Sequence, residues 1–252
     1  MKSLKYEGND ISDYYSRHRI TWDGFFPSEQ ALIESVWPTH PPHILDIGSA
    51  CGGLGLALGE RFGPLSSYTG IEFNSQAVQT ARRLNPSAQF IEGDFLQVKD
   101  SELREVGYDL VFSLSCVDWQ MNTVELLKRA WDTVATGGML ILSLRLTLDE
   151  SCTDFSKSFQ FINYHGLQQG EKAPYVVLNV GDVRELIQEL GVRGGVRGHG
   201  YWGAPSSTAV TPFQSVCFSV FALTKSEEKR DFALELTLPA DVLAAFQNGP
   251  DG

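Results

Sequence analysis

The chain has 252 residues, of which 42% are hydrophobic and 20% charged, values typical of a globular protein. Its formal net charge of −11 argues against a nucleic-acid substrate, because a polyanion binds to a basic surface. No apolar run reaches membrane-spanning length, the N-terminus lacks a signal-peptide pattern, and the four cysteines lack metal-ligand spacing. We therefore expect a soluble, cytoplasmic protein that binds neither nucleic acid nor membrane.

Residues 1–27 form an arm that is rich in aromatic side chains and precedes the first predicted strand. Aromatic side chains serve equally for packing and for covering a ligand. The arm is therefore either a lid over a site or a plain packing element. Tyr15, His18 and Arg19 are its members expected to reach such a site.

The stretch from His43 to Leu58 predicts a buried strand, a glycine-rich turn and a helix. Glycines allow backbone amides to approach a ligand closely. The N-terminus of the following helix adds unpaired donors and a partial positive charge. Such a unit is typical of the start of a nucleotide-binding α/β sheet.

The residues around this turn favour one cofactor over another. A dinucleotide site has G-x-G-x-x-G, but here Ala50 stands two residues after Gly48, and Asp46 inside the strand would repel a pyrophosphate. The pattern D-x-G-x-x-x-G after an apolar strand resembles motif I of the class I methyltransferases that use S-adenosylmethionine (SAM), although that family usually has glycine where Ala50 stands. The resemblance implies that the SAM methionine part is held by Asp46, Gly48, Ser49, Ala50 and Gly52.

Residues at the ends of the next two strands complete the expected cofactor site. Glu72 ends the strand over 67–72 and is expected to accept from both ribose hydroxyls, with Phe73 against the adenine. The third strand, 88–91, leads to Asp94 and Phe95. In the family this position marks the adenine pocket, with the Asp94 carboxylate accepting from the amino group and the Phe95 N–H donating to a ring nitrogen. Alternatively, Asp94 caps the following turn.

The fourth strand, 108–113, ends at Ser113, which we assign to the cofactor site, and delivers the loop 114–119 to the carboxyl edge of the sheet. In the family this loop lies beside the methyl group. Its Asn/Asp-Pro-Pro-Tyr form, typical of amino methylation on DNA or protein, is absent. Trp119 is expected to line the acceptor pocket, and Asp118 is either a base or a helix N-cap. A hydroxyl acceptor needs a base, and His18 and His165 are further candidates unless they are structural or exposed.

The fifth strand, 139–146, has the continuous apolar character of a buried parallel strand, and Arg145 interrupts it. A buried arginine needs an anion, which is either a protein carboxylate or a carboxylate of the substrate. The segment 149–175, which includes Tyr164, is expected to form an acceptor-side lid. Residues 213–223 predict a closing antiparallel strand.

The order of elements predicts one Rossmann-like domain, a doubly wound, mostly parallel seven-stranded α/β sheet with an antiparallel closing strand. Residues 1–27 are its arm, 28–225 its core and 226–252 its tail. The resemblance covers residues 40–225 and implies a SAM-dependent methyltransferase that acts on a small molecule, with S-adenosylhomocysteine as product. Arg19 and Arg145 indicate an anionic group on the acceptor, and we expect no metal and a monomer or homodimer. The alternatives are a non-catalytic SAM-fold protein that binds a partner and an NAD(P)-dependent oxidoreductase, the latter disfavoured by Ala50 and the missing third glycine.

Overall fold

The apolar segments of the chain pair into one nine-stranded sheet and one three-stranded sheet in a computed structural model that describes residues 10–163, 165–227 and 233–248. The strands, numbered in chain order, are β1 (His43–Ile47), β2 (Ser67–Glu72), β3 (Gln89–Glu92), β4 (Tyr108–Ser113), β5 (Val134–Thr147), β6 (Phe159–Ile162), β7 (Glu171–Pro174), β8 (Leu178–Asn179), β9 (Val196–Gly203), β10 (Ala209–Val210), β11 (Val216–Thr224) and β12 (Leu234–Thr237).

Seven α-helices occur in the described ranges, and the longer ones bury an apolar face. They are α1 (Asp10–Tyr15), α2 (Pro27–Val36), α3 (Gly53–Phe62), α4 (Ser75–Leu84), α5 (Thr123–Asp132), α6 (Val180–Glu189) and α7 (Ala240–Asn248). α2 begins with proline at its first position, where the missing N–H costs nothing. Asn74 caps α4 by accepting from the Ala77 N–H at 3.0 Å. None of the helices in these ranges is long and apolar enough to cross a bilayer.

The large sheet has the order β3-β2-β1-β4-β5-β11-β9-β12, with β8 beside β5. Strands β1 to β5 are mutually parallel, and β11 runs antiparallel to both β5 and β9. This confirms the predicted mostly parallel α/β fold with an antiparallel closing strand. The sheet has two more strands than the seven predicted, because β8 and β12, with two and four residues, are too short to be recognised in the sequence.

Both faces of the sheet are covered, and successive strand residues point to opposite sides. Leu45 and Ile47 pack into one buried cluster, whereas Ile44 packs into the other. In β5 the same alternation sends Leu142 to the first cluster and Ile141 to the second. Because β1, β2, β4 and β5 are parallel, their carboxyl ends meet at one edge of the sheet. Open α/β sheets hold their ligands at this edge.

The predicted lid segment supplies two of the three strands of the small sheet. β6 pairs antiparallel with β7 and with β10, so a strand from the loop after β9 completes it. The segment predicted as the tail also has structure in its described residues: β12 pairs in parallel with β9, and Phe246 of α7 stacks on Phe221 with 5.9 Å between ring centroids. Residues 233–248 are thus part of the fold.

Candidate active site

The glycine-rich turn after β1 is tied to the end of β2 by its backbone. The N–H groups of Gly48 and Ser49 both donate to the Ile71 carbonyl, at 2.9 and 3.0 Å. Gly48 has φ of +74°, and a Cβ there would lie 2.6 Å from the Cys116 Sγ. Ala50 also lies in the left-handed region, with φ of 45°, where side chains other than those of Gly, Asn and Asp are uncommon. The turn is therefore a close-packed structure that leaves its amides near the sheet edge.

Glu72 holds the Ala50 end of the turn. Its carboxylate accepts from the N–H of Ala50 at 3.0 Å and from the N–H of Asn74 at 2.8 Å, and the residue is 7% exposed. Burial raises the pKa of Glu72, and these backbone hydrogen bonds oppose the rise. A carboxylate has about four lone-pair sites, so this fixed group retains capacity to accept from hydroxyls.

Asp46 is the second buried carboxyl group at this edge, and it accepts a short hydrogen bond from the Tyr68 hydroxyl. Burial is the main cause that raises the pKa of Asp46 to about 7; the charge of Glu72 acts in the same direction, whereas the hydrogen bond from Tyr68 and the charge of Arg19 oppose it. An ammonium group placed beside Asp46 would favour its charged form.

Six of the ten predicted cofactor residues line one cavity, here named the turn cavity. They are Asp46, Gly48, Ser49, Ala50, Glu72 and Phe73. Tyr15, His18, Arg19 and Trp119 line the same cavity, so the arm forms part of its wall. The sequence therefore identified a group of residues that the fold does bring together.

The other four predicted cofactor residues do not line this cavity: Gly52, Asp94, Phe95 and Ser113. Asp94 accepts from the Leu96 N–H at 3.0 Å and so caps the short turn that follows, which is the alternative that the sequence left open. Phe95 is packed in the core, and Ser113 is fully buried. A Cβ on Gly52 would lie 2.6 Å from the Phe90 ring of β3, so this glycine is needed where the turn packs against that strand. Their roles toward a cofactor stay predictions.

A larger cavity of about 370 Å³, here named the inner cavity, adjoins the turn cavity. Tyr15, Arg19, Ser115 and Trp119 line both. Arg145, predicted to bind the acceptor, lines the inner cavity from the end of β5. Tyr164, the fifth predicted substrate residue, lies outside the described residues. The two cavities thus meet at four side chains, three of which were predicted to contact substrate.

Arg145 is paired with a protein carboxylate. Its Nη1 lies 3.3 Å from Asp118 Oδ2 and donates to the Asp118 carbonyl at 3.2 Å. The guanidinium carbon lies 3.7 Å from the centroid of the Tyr175 ring, which is a cation–π contact. Burial raises the pKa of Asp118, and Arg145 opposes this. Asp118 is not the N-cap of α5, which begins at Thr123 after Asn122.

Arg19 and Glu29 form a second buried ion pair, and Glu29 was not among the residues predicted from the sequence. Arg19 Nη2 donates to Glu29 Oε2 at 2.8 Å, and that oxygen also accepts from the Phe26 N–H at 3.0 Å. Glu29 is 1% exposed and lines the inner cavity. Its position relative to Leu32, Ile33 and Val36 on one helix face, a carboxylate in an apolar stripe, was the available signal.

The predicted bases differ in their placement. Asp118 lines the inner cavity, and His18, an exposed residue, stacks on Tyr14 at 4.3 Å and lines the turn cavity. His165 is exposed and lines neither cavity, and its role as a base stays a prediction. In the described ranges, no group of three or more histidine, cysteine or acidic side chains is arranged to hold a metal ion.

Comparisons with known proteins find similarity over part of the chain. A family model described as a methyltransferase domain matches residues 45–140. Trans-aconitate 2-methyltransferases of Rhodopseudomonas palustris and of an Acidovorax species are each 28% identical over 119 residues, which is 47% of this chain. The chain spans less than half, 44%, of the length of these curated relatives that it matches.

Solved structures extend the likeness in fold to most of the chain. Phosphoethanolamine N-methyltransferase 2 of Haemonchus contortus, in complex with phosphomonomethylethanolamine and S-adenosylhomocysteine, has a TM-score of 0.60 at 14% identity over 86% of this chain and 58% of that chain. The N-terminal domain of EvdMO1 with S-adenosylhomocysteine bound has a TM-score of 0.55 at 17% identity over 78% of this chain and 79% of that chain. At these identities the likeness establishes the fold.

Proposed function

We propose that this chain, which matches a methyltransferase domain over residues 45–140, is a SAM-dependent methyltransferase acting on a small molecule with an anionic group. The observation that carries the proposal is the meeting of two cavities at Tyr15, Arg19, Ser115 and Trp119. One cavity contains the glycine turn and its carboxylates, and the other contains two arginines. A donor and an acceptor placed in them would lie next to each other.

The residues of the turn cavity fit SAM. Glu72 is held by backbone N–H groups, among them those of Ala50 and Asn74, and its carboxylate retains capacity to accept from a ribose hydroxyl. Asp46 suits the ammonium group of the methionine part, and that group would lower its raised pKa. Related folds that bind S-adenosylhomocysteine support this assignment.

Methyl transfer from a sulfonium is an in-line displacement, so the protein mainly has to align the two reactants. SAM supplies the methyl group when bound. Tyr15 lies where the two cavities meet, and burial raises its pKa to about 12. Its hydroxyl therefore stays protonated at neutral pH, so it orients an acceptor as a hydrogen-bond donor and does not act as a base.

The arginines of the inner cavity support an anionic acceptor. The hydrogen bonds to Glu29 and to Asp118 use one nitrogen of each guanidinium. A guanidinium has several further N–H groups in its planar fork, and these are suited to a carboxylate. The trans-aconitate 2-methyltransferases among the relatives act on an anionic small molecule by their name, which agrees with this assignment.

The first test is calorimetric titration with SAM, S-adenosylhomocysteine and NADH. We expect micromolar binding of the first two and none of NADH, followed by methyl transfer from labelled SAM to members of a panel of small carboxylic acids. Absence of SAM binding would overturn the proposal. Binding of SAM with no transfer to any small acid, together with a stable complex in sizing chromatography of a cell extract, would favour the non-catalytic alternative.

A further inference from the structure

The charged side chains that line the inner cavity restrict the number of charges that an acceptor can carry. Among its described lining residues the cations are Arg19 and Arg145, whereas the acids are Asp10, Glu29 and Asp118. The formal charge of this wall is therefore −1. Both cations are already paired with acids of the wall, so an anionic acceptor gains guanidinium N–H donors there and no net positive charge. Each further carboxylate therefore adds repulsion that no additional cation in the described lining offsets.

The acids in the wall position the arginines. Glu29 and Asp118 have side chains that are 1% and 6% exposed, whereas those of Arg19 and Arg145 are 16% and 8% exposed. Each carboxylate holds one guanidinium through its ion pair, and the Tyr175 ring centroid lies 3.7 Å from the guanidinium carbon of Arg145. The guanidinium N–H groups that these pairs do not use are the donors available to an acceptor.

The rest of the wall provides aromatic surface. Phe26 and Phe218 are stacked with 6.0 Å between ring centroids, and both line the cavity. Trp119 and Phe161 line it as well. Such faces favour apolar groups, and burying apolar surface there is favourable at about 25 cal/mol per Å².

We propose that the acceptor is a small acid that carries one carboxylate on an apolar body. The inference rests on the proposed function and narrows its substrate class. The carboxylate binds to these N–H groups of Arg19 and Arg145, and the apolar body lies against the aromatic wall. A second carboxylate in the same cavity would face Asp10, Glu29 or Asp118 with no further cation in the described lining, at a desolvation cost that nothing there offsets.

The test measures binding to the complex of the full chain with S-adenosylhomocysteine. Three probes are compared by calorimetry: 3-phenylpropionate, its uncharged amide 3-phenylpropionamide, and the tricarboxylate trans-aconitate. We expect the monoacid to bind roughly tenfold more tightly than either other probe, the lower end of what a hydrogen bond to a charged group contributes. Equal or tighter binding of trans-aconitate or of the amide, or no binding of any probe, would overturn the inference.

A variant with one less negative charge tests the electrostatic cause. Glu29→Gln brings the formal charge of the wall to zero, and its amide oxygen can still accept from Phe26. The preference for the monoacid over trans-aconitate should then fall several-fold. Glu34→Gln is the matched control, because Glu34 lies on the same helix but is 41% exposed and pairs with Arg61; it should leave the preference unchanged. An unchanged preference in folded Glu29→Gln contradicts the inference, and the unmodified chain decides it if that variant does not fold.

The two proposals fail in different ways. If SAM and S-adenosylhomocysteine do not bind, the proposed function fails and the substrate class fails with it. If both bind and the enzyme methylates trans-aconitate in preference to monoacids, the function stands and the inference is wrong. A first measurement of S-adenosylhomocysteine affinity therefore precedes the acid panel.

Discussion

The turn cavity and the inner cavity adjoin, but they are constructed differently. Nine residues from Asp46 to Phe73, within two consecutive strand–helix units, supply one side of the turn cavity. The inner cavity draws on the arm, the loop after β4, the end of β5, the small sheet and β11, from Asp10 to Ser219. Half of the turn cavity's lining thus comes from one short stretch of the chain, whereas the inner cavity is assembled from distant segments throughout.

The polar groups of the two cavities are also anchored by different interactions. In the turn cavity, Glu72 accepts from backbone N–H groups. In the inner cavity, Arg145 and Arg19 depend on the carboxylates of single side chains, Asp118 and Glu29. Backbone donors survive most substitutions, but a buried ion pair loses its balance when one partner is removed. We therefore expect the two cavities to respond differently to mutation.

The largest effect is expected on stability, when one ion pair of the inner cavity is broken. Arg145→Met leaves Asp118 buried without its counter-charge, which should lower the free energy of unfolding by about 3–5 kcal/mol. Arg61→Met is the control, because the Arg61 and Glu34 side chains are 49% and 41% exposed, and such pairs contribute about 0–1 kcal/mol. Urea denaturation measures both, and a loss in Arg145→Met no larger than that of the control contradicts the comparison.

The turn cavity should lose ligand affinity with less effect on folding. Glu72→Gln keeps an acceptor oxygen for the backbone but removes the charge, so SAM should bind roughly thirtyfold more weakly, in line with about 2 kcal/mol for a hydrogen bond to a charged group. Glu92→Gln is the control, since Glu92 pairs in register with Glu72 at the end of the next strand and is exposed. Calorimetry that finds the two variants equal in SAM affinity would remove the ribose assignment.

Gly53 packs against Arg19, a residue of the arm that lines both cavities. A Cβ on Gly53 would lie 2.2 Å from the carbonyl oxygen of Arg19, so Gly53→Ala should displace the arm, at a cost of about 1–3 kcal/mol, and weaken SAM and acid binding together. Gly59 lies on the same helix, and a Cβ there would meet no atom within 4 Å, so Gly59→Ala should be neutral or stabilise by up to about 1 kcal/mol. Limited proteolysis of the arm and thermal unfolding distinguish them, and an undisturbed arm in Gly53→Ala would refute the link.

The smallest expected effect is the release of part of a proton when SAM binds. The pKa of Asp46 is raised to about 7, so near neutral pH part of the protein carries it protonated, and binding of the SAM ammonium should release a fraction of a proton. SAM affinity should then rise between about pH 6 and 8. Because the pKa is raised on folding, this group also costs stability as pH rises from its unfolded pKa through 7. Calorimetry in two buffers of different ionisation enthalpy measures the release, which Asp46→Asn should abolish; equal heats in the unmodified chain would contradict it.

The sequence by itself determined the α/β fold, the turn after β1 and the placement of Asp46 and Glu72 beside it. These features depend on patterns within a few residues: an apolar strand, glycines at tight positions and a polar residue where the strand ends. Parallel strands joined by right-handed crossovers then place their carboxyl ends at one edge without further information.

Only the tertiary structure decided which charges pair in the inner cavity. Arg145 required an anion, but its partner Asp118 lies 27 residues away and could not be told from a substrate carboxylate. Glu29 and Tyr175 were not recognised, and Asp94 was found to cap a turn. The physical reason is that a buried charge is balanced by whichever group packing brings within a few ångströms, and distance along the chain carries no information about that contact.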